Sequence, residues 1–410
     1  MRNRRQFLLD VARGAAVLGA GSIFPVRALG AGPTRPTIDG LVDGTNGSAV
    51  LEALPGKRPL IKRTFRPPNY ETPVEYFAEQ FTPNDAFFVR WHLSNVQEVA
   101  AASWKLELGG EAVERPFAVT LADLQKDYAQ VEVAALCLCS GNRRGLSSPH
   151  VAGVQWAHGA MGNARWKGVR LKDVLAKAGV KKEALEVVLG GADAPASPST
   201  PGFVKSIPAW KALDENTLLA WEMNGAPLPH WNGAPVRLVV PGWTATYWMK
   251  QLTSVQVVAQ PYKGFWMNPA YRIPDTECGC IPPGSKPGRT VPINRMSTRS
   301  LIITPGEGET LKANRPVTIS GVAFSGGYGI KDVIVSADGG RSWTQASLGK
   351  DLGKYAWVQF SAPWKPAKAG SYTLMAKATN GIGDSQPFEG LWNPAGYLWN
   401  KVQPLAVTVK

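Results

Sequence analysis

The stretch Cys137-Leu138-Cys139-Ser140-Gly141-Asn142-Arg143-Arg144 narrows what this chain can become more than any other. An apolar lead from Val131 to Ala135 runs into it, and Gly141 with Asn142 interrupts the run, which is the pattern of a buried strand stopping at a turn. A strand end holds its side chains rigidly, so a thiol there is fixed and the arginines that follow are aimed at whatever lies beside it. Thiolates suit soft transition metals, and guanidinium forks suit oxyanions. The combination predicts a metal site that handles an anion, set against the bland alternative of a small core cysteine next to a solvated arginine pair.

A chain of 410 residues with 44% apolar content has material for two cores. The net charge of +14 favours anionic ligands or partners. That charge is not gathered into basic tracts with interleaved aromatics, so nucleic-acid binding is not expected. Fifteen tryptophans supply packing mass and pocket walls. At the N-terminus, Asn3-Arg4-Arg5-Gln6-Phe7-Leu8-Leu9 matches the twin-arginine pattern. The uncharged run from Gly14 to Phe24 is too short to span a bilayer, and Ala28-Leu29-Gly30 offers a small-x-small cleavage site. Residues 1–30 therefore read as an export signal with no stable membrane anchor. The route exports proteins already folded, which implies a cofactor inserted in the cytoplasm and a periplasmic destination.

Residues 31 to about 70, rich in proline and glycine, read as an irregular arm. Pro83-Asn84-Asp85 closes a turn before Phe87-Phe88-Val89-Arg90-Trp91-His92, where a strand's period of two puts Phe88, Arg90 and His92 on one face. Lys105 to Leu108 alternates as a strand, Thr120 with Asp123 forms a capping box, and Leu171, Val174, Leu175 and Ala178 have helical spacing closed by Gly179. Val187-Val188-Leu189 reads as a strand. The four cysteines form two pairs, Cys137-x-Cys139 and Cys278-x-Cys280; one intervening residue suits structural zinc poorly, and a disulfide between the pairs stays open. Beyond Pro292, short strands at Val317 to Phe324, Val333 to Val335, Trp343-Thr344 and Tyr372 to Ala376, around the turn Asp338-Gly339-Gly340, argue for a β-sandwich.

The block Cys139-x-Gly141-Asn142-Arg143-Arg144, followed by Trp156-Ala157-His158-Gly159-Ala160 and Asn163-Ala164-Arg165-Trp166-x-Gly168-Val169-x-Leu171-x-Asp173-Val174-Leu175, closely resembles the molybdenum-cofactor domain of the sulfite oxidase family. The resemblance implies an α+β molybdopterin-binding catalytic domain over 31–290 and an immunoglobulin-like β-sandwich of the dimerisation type over 291–410. It implies molybdenum and molybdopterin as cofactor, with Cys139 as the protein ligand to the metal. Arg90, His92, Arg144, Trp156 and Tyr271 fall on the family's catalytic pocket. Phe88, Val89, Arg90, Trp91, His92, Asp193, Asn232, Arg237, Trp248, Met249 and Lys250 fall on its cofactor contacts.

Three positions depart from the family pattern. Trp91 stands for an asparagine, Asn232 for a histidine, and Ala395, in Trp392-Asn393-Pro394-Ala395-Gly396, for an arginine lent by the last loop. His92 or Lys250 is the expected compensation for that missing cation, and Arg143 is expected to brace the loop. The implied reaction is oxidation of sulfite to sulfate. No Cys-x-x-Cys-His occurs, so the expected electron acceptor is a separate c-type cytochrome, diffusing or held as a haem c subunit. The alternatives are a periplasmic molybdenum-dependent methionine sulfoxide reductase, whose relatives generally lack Gly-Asn-Arg-Arg after the cysteine, and a periplasmic binding or adhesion protein.

Overall fold

The computed structural model describes residues 50–410, so the export signal and the first part of the expected arm lie outside the described residues. The rest of that arm is ordered differently from expectation. Val50–Glu52, Leu60–Thr64, Asn69–Glu71 and Val89–Arg90 form a four-stranded antiparallel sheet in that order. Prolines and glycines occupy its turns, while Leu60, Tyr70, Val89 and Trp91 are fully buried in a small core of their own. Burial of these few apolar side chains outweighs the local turn propensity. The register sets Asn69 opposite Arg90, which anchors Arg90 at a sheet end.

Two larger sheets follow. One runs Val204–Pro208, Glu186–Gly191, Leu252–Val258, Lys105–Gly109, Phe117–Thr120. The other runs Ala226–Pro227, Leu218–Met223, Met161–Arg170, Gln130–Leu138, with Arg237–Val239 paired to Leu218–Met223. The sequence pattern locates its long hairpin well: Gln130 faces Val169 and Leu138 faces Met161 in an unbroken antiparallel register. Helices are few among the described residues: Leu121–Asp127 begins with the capping box of Thr120 and Asp123, Leu171–Ala178 ends at a left-handed Gly179, and Ala209–Ala212 is a single turn. The architecture is thus mostly β.

Toward the C-terminus, Arg299–Thr304, Val317–Phe324, Val358–Trp364 and Ser347–Leu348 form one sheet. Thr310–Leu311, Leu405–Val409, Gly370–Asn380, Ile330–Ser336 and Thr344–Gln345 form another. Ile319, Phe360 and Ala362 from the first sheet meet Val333, Leu374, Ala378 and Val407 from the second in one apolar cluster. A further cluster joins Leu136, Leu138 and Met161 of the long hairpin to Met296, Leu301, Val322, Phe324 and Trp357. The first of these two sheets is therefore packed directly against the strand Gln130–Leu138, which leads into Cys139.

Candidate active site

Cys139 leaves the end of the strand Gln130–Leu138 with its N–H donating to Ala160 O at 3.0 Å. The chain then turns tightly, Asn142 N–H donating to Cys139 O and Arg144 N–H to Gly141 O, both at 2.9 Å. A Cβ on Gly141 would lie 2.7 Å from the Arg144 guanidinium, so a larger residue there would displace that side chain from its place over the turn. Arg143 takes a left-handed backbone, φ 68°, which sends the two arginines opposite ways. Arg143 is buried and braces the C-terminal segment, donating to Lys401 O at 3.0 Å and Gln403 Oε1 at 2.7 Å. Arg144 donates to Ala395 O at 2.8 Å and Val154 O at 3.2 Å.

An inner and an outer cavity share Arg90, Cys139 and Tyr271 in their walls. The inner one is lined by Phe87, Phe88, Arg90 and His92 from one segment, with Cys137, Cys139, Asn232, Arg237, Lys250 and Tyr271. Among the described residues, no carboxylate lines it. Desolvation pushes Lys250 down to about 7 and lowers Arg237. Arg237 donates to Asn232 O at 2.8 Å and Trp248 O at 3.2 Å, while its buried Nε has no partner. Of the other expected cofactor contacts, Trp91 packs beneath Lys250, whose Nζ is 4.4 Å from its ring, and Val89 lies in the core of the first sheet. Trp248 and Met249 are buried behind the wall, and so is Asp193, whose carboxyl is raised by burial against the opposing pull of Lys250.

Sequence reasoning missed Lys57, which lay in the supposed arm. It is buried, and its Nζ donates to Asn84 O at 2.6 Å, Phe87 O at 3.0 Å and Asn232 Oδ1 at 2.6 Å. Asn232 in turn donates to Phe88 O at 3.1 Å. A lysine thus stands behind Asn232, where the family resemblance implies a histidine, and burial pushes Lys57 down to about 7. Nothing local in the sequence marks it.

The outer cavity is lined by Arg90, Cys139, Arg144, Trp156, Trp266 and Tyr271, together with Ala395 and Tyr397 from the C-terminal segment. Arg90 Nη2 lies 3.5 Å from Tyr271 Oη, and its Nη1 donates to Asn69 Oδ1 at 3.2 Å. Tyr397, also missed, stacks on Tyr271 with ring centres 5.5 Å apart and carries Arg144 5.2 Å from its own ring centre. His92 does not belong to this wall. Its Nε2 bonds Tyr271 Oη, its ring stacks 3.6 Å from Phe203, and desolvation first, then Arg90, Lys250 and Lys205, holds it well below the ordinary histidine range. A neutral imidazole cannot stand in for the arginine that the resemblance implies, and Lys250 lines the inner cavity and not the outer one, which corrects both expected compensations.

Cys278 and Cys280 are bonded to each other in an exposed loop, while Cys137 and Cys139 are free. The question left open by the sequence is settled within the second pair. Among the described residues, no three His, Cys, Asp or Glu side chains converge as a protein-only metal cluster would require.

The model of the oxidoreductase molybdopterin binding domain matches residues 92–266, and that of the Mo-co oxidoreductase dimerisation domain matches 290–409. The Arabidopsis thaliana sulfite oxidase is 30% identical over 88% of this chain and 97% of its own. This chain belongs to the sulfite oxidase family. The human mitochondrial sulfite oxidase is 34% identical over 85% of the chain, and that of Drosophila melanogaster 34% over 86%. The chain spans 66% and 63% of those two proteins' lengths. Among solved structures, the sulfane dehydrogenase SoxCD of Paracoccus pantotrophus superposes with a TM-score of 0.72 at 25% identity, over 94% of this chain and 96% of that one.

A sulfite oxidase family member uses a molybdenum-molybdopterin cofactor, and the inner cavity suits one. Its donor set is a free thiol at the mouth, Arg237, Lys250 and Asn232 at the back, and a buried Arg237 Nε still without an acceptor. A phosphate-bearing, metal-holding group supplies what these side chains lack.

Proposed function

We propose that this chain is the catalytic polypeptide of a sulfite dehydrogenase, oxidising sulfite to sulfate and passing electrons to a c-type cytochrome, either diffusing or bound as a haem c subunit. The observation that carries the reading is the placement of Cys139, a free thiol in the walls of both a cationic cavity that no carboxylate of the described residues lines and a second cavity walled by Arg90, Arg144 and Tyr271. Cys139 would hold the metal, and Arg237, Lys250 and Asn232 the pterin and its phosphate. When bound, the group supplies a two-electron redox centre whose chemistry is largely its own.

The chain's share is binding and orientation. Arg90 and Arg144 attract the sulfite dianion and fix it through charge-assisted hydrogen bonds. With His92 as the Nε2–H tautomer, both His92 and Arg90 donate to the Tyr271 oxygen, which leaves its O–H to donate into the same space, and Trp156 and Trp266 close the walls against water. We further propose a twin-arginine signal over 1–30, a periplasmic location, domains over 31–290 and 291–410, and an immunoglobulin-like sandwich for the second. The test is to measure molybdenum content and sulfite-dependent reduction of cytochrome c on one preparation; a molybdenum-replete protein inert to sulfite would overturn the reading.

The near end-to-end likeness to a sulfane dehydrogenase supports a second reading, oxidation of a sulfane sulfur. Ala395 in the outer wall, where the resemblance implies an arginine, offers less bulk and one charge fewer, which would favour a bulkier or less charged substrate than sulfite. Turnover of a persulfide-carrying substrate in preference to sulfite would establish it.

A further inference from the structure

Relative to the family pattern, the outer cavity is one cation short, and neither expected residue makes up the deficit. One charged side chain beside it has no assigned role. Lys205, in the strand Val204–Pro208, is fully buried. Its Nζ donates to Trp266 O at 2.5 Å and lies 4.7 Å from the centre of the Tyr271 ring and 4.8 Å from that of Tyr247. Among the described residues, no carboxylate stands within ion-pair distance of it. An ammonium buried against one carbonyl and two aromatic rings is a costly arrangement unless the rings share the charge.

The interaction works in both directions. The ring's negative face stabilises the cation, and the cation draws electron density from the ring and makes the phenol a stronger donor. Tyr271 is where such an effect reaches the cavity, because its hydroxyl sits between His92 Nε2 and Arg90 Nη2. We propose that Lys205 is a positioning residue that delivers the missing positive charge to the pocket through the Tyr271 ring, strengthening the Tyr271 hydroxyl as a donor to the bound oxyanion. The inference rests on Tyr271 facing substrate, as argued above.

A pH dependence follows. Burial, and then the charge of Arg272, push Lys205 down to about 7. Below that value the ammonium is present and Tyr271 is the stronger donor; above it the effect fades. The other groups that act on Tyr271 are Arg90, Cys139, Arg144 and Tyr397. Tyr247 also faces Lys205 and feels Glu186, and His92 stays neutral across the window.

The experiment uses the full-length, cofactor-loaded protein labelled with 3-fluorotyrosine, the Tyr271 resonance being assigned by its loss in Tyr271→Phe. In the wild type, the Tyr271 fluorine shift should show an inflection near pH 7. Lys205→Met should hold it at the alkaline limit and Lys205→Arg at the acidic limit, both without an inflection. Lys205→Met should lower kcat/KM for sulfite about tenfold, Lys205→Arg should restore most of it, and Lys205→Met should cost nothing more in a Tyr271→Phe background. A wild-type shift flat through pH 7, or a Lys205→Met loss undiminished in Tyr271→Phe, would overturn the proposal. The wild-type titration needs no variant to fold. An inflection in a protein inert to sulfite would uphold the Lys205–Tyr271 coupling while removing sulfite as substrate.

Discussion

Cys137-x-Cys139 and Cys278-x-Cys280 have the same spacing and opposite fates. The first pair straddles the end of a buried strand; both thiols are free and line a cavity walled by Arg237 and Lys250. Cys137 Sγ lies 3.9 Å from Arg237 Nη2, and burial pushes its thiol up to about 11 despite that cation. The second pair sits in an exposed loop between Arg272–Pro274 and Thr290–Pro292, where no sheet partner holds the two side chains apart and the sulfurs join. Spacing sets what two cysteines can reach. Backbone geometry and electrostatic surroundings decide which chemistry they adopt.

Breaking the first pair should have the largest effect. Cys139→Ser is expected to bring sulfite-dependent cytochrome reduction to background, while Cys280→Ser leaves it close to wild type; equal losses in the two variants would erase the contrast. The cations that distinguish the first pair's surroundings come next. Arg90→Gln or Arg144→Gln should each remove about 1.5–3 kcal/mol of anion binding, raising KM for sulfite roughly 10–100-fold. Unchanged Michaelis constants in both would remove them from the substrate site.

A smaller effect tests the inner cavity without turnover. Lys57 and Lys250 are each pushed down to about 7 by burial, so between that value and the ordinary lysine range the folded protein binds fewer protons than the unfolded chain. Cofactor-free protein should therefore gain thermal stability as pH rises from about 7 toward 10, and bound cofactor phosphate, by favouring the charged ammoniums, should flatten that slope. Melting temperatures measured across the range on both forms decide the point, with identical slopes counting against phosphate binding there. The smallest effect belongs to the second pair. Cys278→Ser with Cys280→Ser opens a very short loop, so the expected destabilisation is about 1.5 kcal/mol or less by chemical denaturation.

How much of this was visible beforehand depended on how local each feature is. The end of the strand Gln130–Leu138, the turn at Gly141, the helix Leu171–Ala178 with its Gly179 stop and the strand Val317–Phe324 are all written in nearest-neighbour patterns. Phe88, Arg90 and His92 reach one cavity, but Phe87 lines it too, because only Val89–Arg90 is paired as strand and the alternation does not extend to Phe87. The first sheet was hidden because its strands are short and separated by prolines, and their stability comes from Val89 and Trp91, distant in sequence. A lone lysine between Phe203 and Ile207 on a strand face was a faint signal for Lys205, and Tyr397 stands just past the Trp392–Gly396 motif.

By itself, the amino-acid order determined the thiol at a strand end, the arginines behind it, the short helices and the spacing of the C-terminal strands. These need only backbone propensity and the alternation of apolar with polar side chains. Only the tertiary structure decided that His92 is neutral, that Lys57 stands behind Asn232, that Lys205 lies against Tyr271, and that Arg143 and Arg144 part company at Cys139. The charge state and aim of a polar side chain depend on how much water the surrounding elements exclude, and those elements come from all along the chain.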